Sequence, residues 1–511
     1  MKAQQQSTPT LQGIALALAA IFLAIANFVV VLDITIVNVS ITHIAGGLAI
    51  SPVEGTHAIT AYAVAEAITV PLTGWLAKRF GSVKVFLTCL ILFAICSMLC
   101  GISTSINMLV VGRLLQGLAG GPMMPLSQTL IMQIFPAHKK SLALGIWSIT
   151  TLIAPIAGPY VGGYISENWS WHYIFLINIP IAVLCAVFSM KLLKPFESKT
   201  QREKIDFVGL ILLIIWVGSL QMVLDTGQQN NWFESTHICI FSATAIVGFI
   251  AFLIWELTEK KPIVNLHVFR HRGFTASVIT VGLAFGAFFG SVVLLPLWLQ
   301  GIMQYTSTYS GEVSSALGCL AILTAPIVAI LASKFDPRPL VFFGVVWLGI
   351  MTFIRSFANT DMSMLAISIP VLIQGIGLPF FFIPLNAMAL GSVKKAEIAS
   401  AAGLLNFIRT LSSAIATSVV TTIWDHKTTT FRAELSGQIA SPDQLAVMLG
   451  DTSQIGQQMA ANILDQTFQK QVIMLATNQT FLTVSFTFVI AALAVWLAPK
   501  PTTKITQVGA H

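Results

Sequence analysis

Leu142–Ile165 reads LALGIWSITTLIAPIAGPYVGGYI. The stretch is apolar and exceeds the roughly 20 residues a helix needs to cross a bilayer. It nevertheless carries Gly145, Pro155, Gly158, Pro159, Gly162 and Gly163, residue types that weaken helices and that a plain anchor avoids. In hydrocarbon, the backbone groups they free must be satisfied by neighbouring helices or by water in a cavity. A kinked helix pressed against another is therefore expected. Two readings stay open: a packed span with Gly158 and Gly162 as a small-xxx-small face, or a moving part of a pathway.

Composition sets the class. Of 511 residues, 56% are hydrophobic and only 9% charged, far outside soluble averages. The apolar residues fall in repeated runs of membrane-spanning length, which predicts an all-α polytopic membrane protein. Met1–Thr10 is polar and leads straight into a span, so no cleaved signal peptide is expected. The six cysteines (Cys89, Cys96, Cys100, Cys185, Cys239 and Cys319) all lie in apolar runs without metal-ligand spacing. They read as small packing residues, and no metal is expected.

Fourteen spans are expected near 14–38, 56–76, 84–101, 107–132, 141–165, 173–193, 206–225, 237–257, 275–298, 310–332, 340–357, 364–391, 398–423 and 476–497. Basic residues gather on one face, among them Lys78, Arg79, Lys84, Lys139, Lys140, Lys191, Lys194, Lys199, Arg202 and Lys204. Lys260, Lys261, Arg270, Arg272, Lys334, Arg338, Lys394 and Lys395 continue the series, while Arg355 is the nearest exception. By the positive-inside rule this face and both termini are cytoplasmic. The pI of about 9.1 thus reports topology; the charges form no stripe that would suit a nucleic acid.

An internal repeat narrows the function. Leu115-Gln116-Gly117 and Pro125-Leu126-Ser127 return as Ile373-Gln374-Gly375 and Pro384-Leu385-Asn386, and Gly145 returns as Gly403. Gln116/Gln374 and Gly145/Gly403 share one offset of 258 residues. That maps spans 1–6 onto 9–14 and leaves spans 7 and 8 as an inserted pair. The expected division is an N-terminal six-helix half at 1–195, a linker with the inserted pair at 196–258, and a C-terminal half at 259–511. Two halves in parallel repeat are a design of secondary transporters. A membrane receptor or enzyme is the remaining alternative, and no nucleophile–base or acid–base constellation supports an enzyme.

Five motifs in order resemble one family. Gly74-Trp75-Leu76-Ala77-Lys78-Arg79-Phe80-Gly81 resembles the loop signature between spans 2 and 3 of the major facilitator superfamily. Arg113-Leu114-Leu115-Gln116-Gly117 is similar to its span-4 motif, and Gly145, Ala154, Gly158-Pro159 and Gly162-Gly163 to its span-5 antiporter motif. Leu32-Asp33-Ile34-Thr35-Ile36-Val37-Asn38, with Trp169-Ser170-Trp171 and Phe175-Leu176-Ile177-Asn178-Ile179-Pro180, resembles the fourteen-span drug:proton antiporters, most closely the EmrB-type multidrug exporters. Two positions depart from the superfamily pattern: Lys78 stands where an aspartate is usual, as in EmrB-like proteins, and Ala154 replaces a motif glycine.

The resemblance implies a major facilitator fold with two inserted helices in a bacterial inner membrane. It implies export of hydrophobic or cationic drugs by alternating access, driven by the proton gradient without a cofactor. An EmrA-type periplasmic adaptor and a TolC-type outer-membrane channel are the implied partners. A proton-coupled symporter or exporter of a metabolite is the alternative within transporters; the span-5 motif argues against it.

Charges inside a membrane are costly unless paired or hydrated, and mark functional sites by default. Asp33 lies about eight residues, or roughly 12 Å, from the outer end of span 1, and Arg113 lies at similar depth in span 4. Their depths permit an interaction, direct or through water; a structural ion pair is the alternative. Glu66 sits mid-span with no basic residue in its own helix. Burial disfavours a charged carboxylate and an approaching cation favours it, so Glu66 is a candidate for exchanging a proton against a cationic drug. Its alternatives are a permanently protonated packing residue or a tuner of substrate charge.

The substrate path is expected between the halves. Candidate lining residues are Asn27, Tyr62, Met123, Met124 and Gln128 in one half, and Phe285, Phe288, Phe289, Phe381 and Asn386 in the other. Aromatic and Met side chains make adaptable apolar walls, while ordinary helix packing is the alternative for each. Gating and close packing are assigned to Gly74, Arg79, Gly81, Gly145, Pro155, Gly158, Pro159, Gly162 and Gly163. The stretch 424–475 is expected as a long polar periplasmic loop with helical patches, a docking surface for the adaptor or a cap on the vestibule.

Overall fold

The computed structural model describes residues 11–50, 52–136, 139–198, 200–201, 205–394, 397–436 and 454–499. Met1–Thr10, Lys199, Arg202, Lys204, Lys395 and the middle of the long connection lie outside the described residues. Regular structure among them is helical throughout. The first half runs α1 (Gly13–Leu48), α2 (Pro52–Thr69), α3 (Thr73–Phe80), α4 (Ser82–Gly101), α5 (Ile106–Gly120), α6 (Met123–Ile134), α7 (Lys140–Asn168), α8 (Tyr173–Leu176) and α9 (Asn178–Leu193). α10 (Phe207–Thr226) and α11 (Thr236–Thr258) follow as a packed pair. The second half comprises α12 (Arg272–Gly301), α13 (Ser307–Lys334), α14 (Pro337–Arg355), α15 (Met364–Gln374), α16 (Gly377–Gly391), α17 (Ile398–Ser436) and α18 (Gln454–Ala494).

Eleven of these helices are long and apolar enough to cross a membrane, or thirteen when each of two bent pairs counts as one span. One bend, 59°, separates α2 from α3 at Val70-Pro71-Leu72. The other, 43°, divides α7 between Leu142–Pro155 and Ala157–Asn168, where the ring of an interior proline removes a ladder hydrogen bond. The stretch expected as a single span at 107–132 forms α5 and α6, 15 and 12 residues on either side of Gly121-Pro122. Length and composition therefore do not establish the expected count of fourteen.

The long connection carries the expected helix but in longer, continuous form. α17 continues to Ser436 and α18 begins at Gln454, so both helices run well past the apolar segments. At 39 residues α17 is about 58 Å long, roughly twice the hydrocarbon thickness. The extension is a helix pair, tied by Trp424 Nε1 to Thr477 Oγ1 at 2.9 Å and by Arg432 Nη2 to Gln469 Oε1 at 2.5 Å. Continuous helix satisfies its own backbone groups, which a polar loop of this length would leave to water.

Close backbone approach explains the glycines. A Cβ on Gly158 would strike Thr35 Oγ1, and one on Gly162 would lie 2.8 Å from the Ile36 carbonyl oxygen. Both belong to the α1–α7 contact inside one half. The contact of α7 with the other half is made elsewhere: a Cβ on Gly145 would lie 2.9 Å from Ala329 Cβ on α13, and Gly311 of α13 sits against Pro159 and Tyr160. The repeat-related Gly403 of α17 lies against Val70 and Thr73, and Gly74 of α3 against Ser400. The two halves thus meet through corresponding pairs, α7 on α13 and α17 on α2–α3. Gly163 and Pro155 are buried, and Pro159 is half-buried. Gly81 adopts φ +95° with the Glu197 carboxylate beside it; that carboxylate accepts the N–H groups of Val83 and Lys84 at 3.0 Å and caps α4. Arg79 lies over the rings of Trp75 and Phe80.

Replacing Gly158 by Leu should lower the thermal unfolding midpoint of the detergent-solubilised protein, by an overpacking cost of about 1–3 kcal/mol, without loss of membrane insertion. Gly46→Leu, at a position open to space within 4 Å, should leave that midpoint unchanged. Equal midpoints for the two variants would rule out the α1–α7 contact as the reason for Gly158.

Candidate functional site

Asp33, on α1, is completely buried and fully engaged. Arg113 Nη1 donates to Asp33 Oδ2 at 2.5 Å, while Gln116 Nε2 and Asn178 Nδ2 donate to Oδ1 at 3.0 and 2.7 Å. The expected interaction is therefore direct. Arg113 is held in turn by Gln116 Oε1 at 2.8 Å and by the Ala58 carbonyl at 3.4 Å, with its guanidinium 4.2 Å above the Tyr62 ring. Gln116 also donates to Ser97 Oγ at 2.8 Å. The helical spacing of Arg113 and Gln116 puts both on one face of α5, so α5 presents a charge and an amide together to α1. Five helices, α1, α2, α4, α5 and α9, converge on this network. A charge pair satisfied this completely is a clamp.

Glu66 is different. It lies fourteen residues from each end of the α2–α3 unit (66 − 52 and 80 − 66) and is 4% exposed. Its carboxylate makes no hydrogen bond or ion pair within the described residues. Its electrostatic partners, strongest first, are Arg409 and Arg113. Arg409 belongs to α17 in the other half, eleven residues from that helix's start and 3% exposed.

Arg409 is the centre of a second cluster. Its guanidinium lies 5.6, 5.2 and 5.3 Å from the ring centroids of Trp147, Phe285 and Phe382. It donates to Asn406 Oδ1 and contacts the sulfur of Met124 on α6. Asn406 Nδ2 donates to Gln128 Oε1 at 2.9 Å, and Gln128 Nε2 to Asn386 Oδ1 at 3.2 Å. The Gln128–Asn386 bond joins α6 of one half to α16 of the other.

Among the candidate lining residues, Met124, Gln128, Phe285 and Asn386 are thus brought together. Phe288 and Phe289 adjoin them through ring contacts with Phe285 at 6.4 and 4.7 Å. Asn27 is pinned to Thr150 and Thr151 of α7 at 3.1 and 2.7 Å, and Tyr62 lies under Arg113 with its hydroxyl unpartnered. Met123 and Phe381 are buried in helix packing. Sequence reasoning missed Arg409, Asn406, Trp147 and Phe382. For Arg409 a signal existed, an arginine midway along the apolar run 398–423, the same criterion that selects Asp33, Glu66 and Arg113.

Residues 23–417 match the model of the Major Facilitator Superfamily. The chain belongs to that superfamily. Superfamily members similar to it include the "Multidrug export protein EmrB" of Escherichia coli K12, 40% identical over 97% of this chain and 98% of that protein. The "Fatty acid resistance protein FarB" of Neisseria gonorrhoeae is 39% identical over 96% and 98%. These matches span almost the whole of both chains, so the expected family membership is shown and the chain is a multi-span membrane protein of that superfamily. The fold also matches the proton:xylose symporter XylE, with a TM-score of 0.59 at 13% identity, covering 95% of this chain and 96% of that one.

Asp33→Asn should destabilise the protein by roughly 3–5 kcal/mol, because Arg113 is left charged and buried without its partner. Asn178→Ala, which removes one donor, should cost about 1–3 kcal/mol. Thermal unfolding in detergent measures both; an Asp33→Asn protein as stable as wild type would deny the clamp.

Proposed function

We propose that this protein is a proton-coupled antiporter that exports hydrophobic or cationic drugs by alternating access, in a bacterial inner membrane with both termini cytoplasmic. The observation that carries this reading is the contrast between two buried acids: Asp33 has every oxygen engaged, while Glu66 has a carboxylate without a hydrogen-bond partner among the described residues and an electrostatic partner, Arg409, in the opposite half.

An ionised Glu66 attracts Arg409 across the contact between the halves. Protonation removes that attraction, and a cationic drug competes for the same carboxylate. Proton and cation therefore exclude one another at Glu66, which is what exchange requires. Each shifts the equilibrium between conformations only by its differential affinity for them. The Phe285, Phe382 and Trp147 rings around Arg409 supply the apolar surface for the rest of the drug. The Asp33–Arg113 clamp keeps α2 and α5 in place beside Glu66. In this reading coupling passes from the three charges Asp33, Glu66 and Arg113 to Glu66 and Arg409, with Asp33 and Arg113 as supports. The divided contact surface, α7 on α13 and α17 on α2–α3, is the rocking interface. Relatives named for multidrug export at 40% identity support drugs as the substrate class over metabolites.

Purified protein in liposomes should release protons when a cationic drug is added. Glu66→Gln should reduce that release at least tenfold and flatten the pH dependence of drug uptake, while unfolding stays near wild type. Wild-type coupling in Glu66→Gln would overturn the assignment. The helical extension of α17 and α18 is the surface proposed for an EmrA-type adaptor leading to a TolC-type channel. Joining Trp424 to Leu475 by a short linker should abolish co-purification of that adaptor and leave drug-induced proton release in liposomes within twofold of wild type; undiminished co-purification would place docking elsewhere.

A further inference from the structure

A cleft of about 390 Å³ lies apart from the central cluster, between the inserted pair and α17. Leu213, Trp216 and Leu220 of α10, Phe249 and Phe252 of α11, and Phe407 of α17 form most of its wall. Its volume falls in the range of roughly 300–1,000 Å³ typical of ligand sites, yet the lining is almost wholly apolar. Ile246 and Phe249 at its edge are 60% and 41% exposed, so the cleft opens on the surface that faces lipid.

Its depth is defined by the helices. The lining positions on α10, α11 and α17 lie about 5 to 13 residues from the ends of those helices on the basic face. At helical rise that is roughly 8–20 Å, the hydrocarbon of one leaflet, which is about 15 Å thick. The segment closing the cleft on that face alternates in character. Val264, Leu266 and Phe269 turn into the cleft, whereas Lys260, Lys261, His267, Arg270 and Arg272 are exposed beside it. Arg270 is engaged by Glu397 at 2.7 Å. Within the wall, the Trp216 indole N–H is buried without an acceptor.

We infer that this cleft holds an acyl chain of an anionic phospholipid from the leaflet on the basic face. Hydrocarbon fills an apolar volume at this depth, and Lys260 and Lys261 face the headgroup phosphate. Basic pockets of this kind on the cytoplasmic side of membrane proteins bind anionic headgroups. The cleft has a bearing on the site. Leu404, Phe407, Ile408 and Leu411 turn one face of α17 into it, and Asn406 and Arg409 lie on the other face, in the central cluster. A bound chain therefore packs on the back of the helix that carries Arg409.

Native mass spectrometry of the full-length protein, taken from nanodiscs of equal phosphatidylglycerol and phosphatidylcholine, tests this. At least one phosphatidylglycerol should be retained, in at least threefold preference to phosphatidylcholine. Ala245→Trp, which fills the cleft from α11, should lower retention at least fivefold; should that variant not fold, Ile408→Trp fills it from α17. Lys260→Glu with Lys261→Glu should abolish the preference while a chain is still bound. Undiminished retention in a folded cleft-filling variant overturns the proposal, as does displacement of phosphatidylglycerol by an equal concentration of palmitate or of a cationic drug, which would make the occupant a free fatty acid or a substrate. Glu66→Gln should retain lipid as wild type does, so failure of the antiport reading leaves this result standing.

Discussion

Three hydrogen bonds converge on the Asp33 carboxylate from α5 and α9, and one of them carries the charge of Arg113. Two ions taken out of water are stable together only if their remaining lone pairs and protons are also satisfied. Here Gln116, Asn178, the Ala58 carbonyl and the Tyr62 ring do that. The network fixes five helices of one half relative to each other. It also leaves Tyr62, one turn before Glu66, locked under Arg113, so that α2 presents Glu66 toward the other half from a rigid base.

The second constraint is close approach. Where Gly158 and Gly162 let α7 touch α1, the contact is internal to one half. Where Gly145 meets Ala329 and Gly403 meets Val70, the contact crosses between halves. Small residues thus serve two purposes in α7: one contact builds a half and the other joins the two halves. The segment beyond the 43° bend of α7 makes both kinds of contact, with α1 at Gly158 and Gly162 and with Gly311 of α13 at Pro159 and Tyr160.

Much of this was legible in the sequence. The apolar runs, the basic asymmetry and the 258-residue repeat lead to the fold class, and the family motifs lie where the helices require them. Asp33, Arg113 and Glu66 stand out as charges in apolar runs. Their division of labour was not legible. Asp33 meets Arg113 and Asn178 across 80 and 145 residues of chain, and no local pattern reports that those partners arrive while none arrives for Glu66. Arg409 was visible by the same criterion, but its aromatic surroundings come from α7, α12 and α16. The connection 424–475 was expected to carry helical patches, and its polar composition did not reveal that 424–436 and 454–475 continue the spanning helices without a break.

The sequence by itself determined that this chain crosses a membrane many times and belongs to the Major Facilitator Superfamily. That follows because hydrocarbon admits few backbone solutions and each leaves a strong periodic signature. Only the tertiary structure decided which glycine faces which helix, which acid is clamped and which is left open to Arg409. Those outcomes depend on side chains brought together from distant segments, and a buried charge takes its role from the partners that packing supplies.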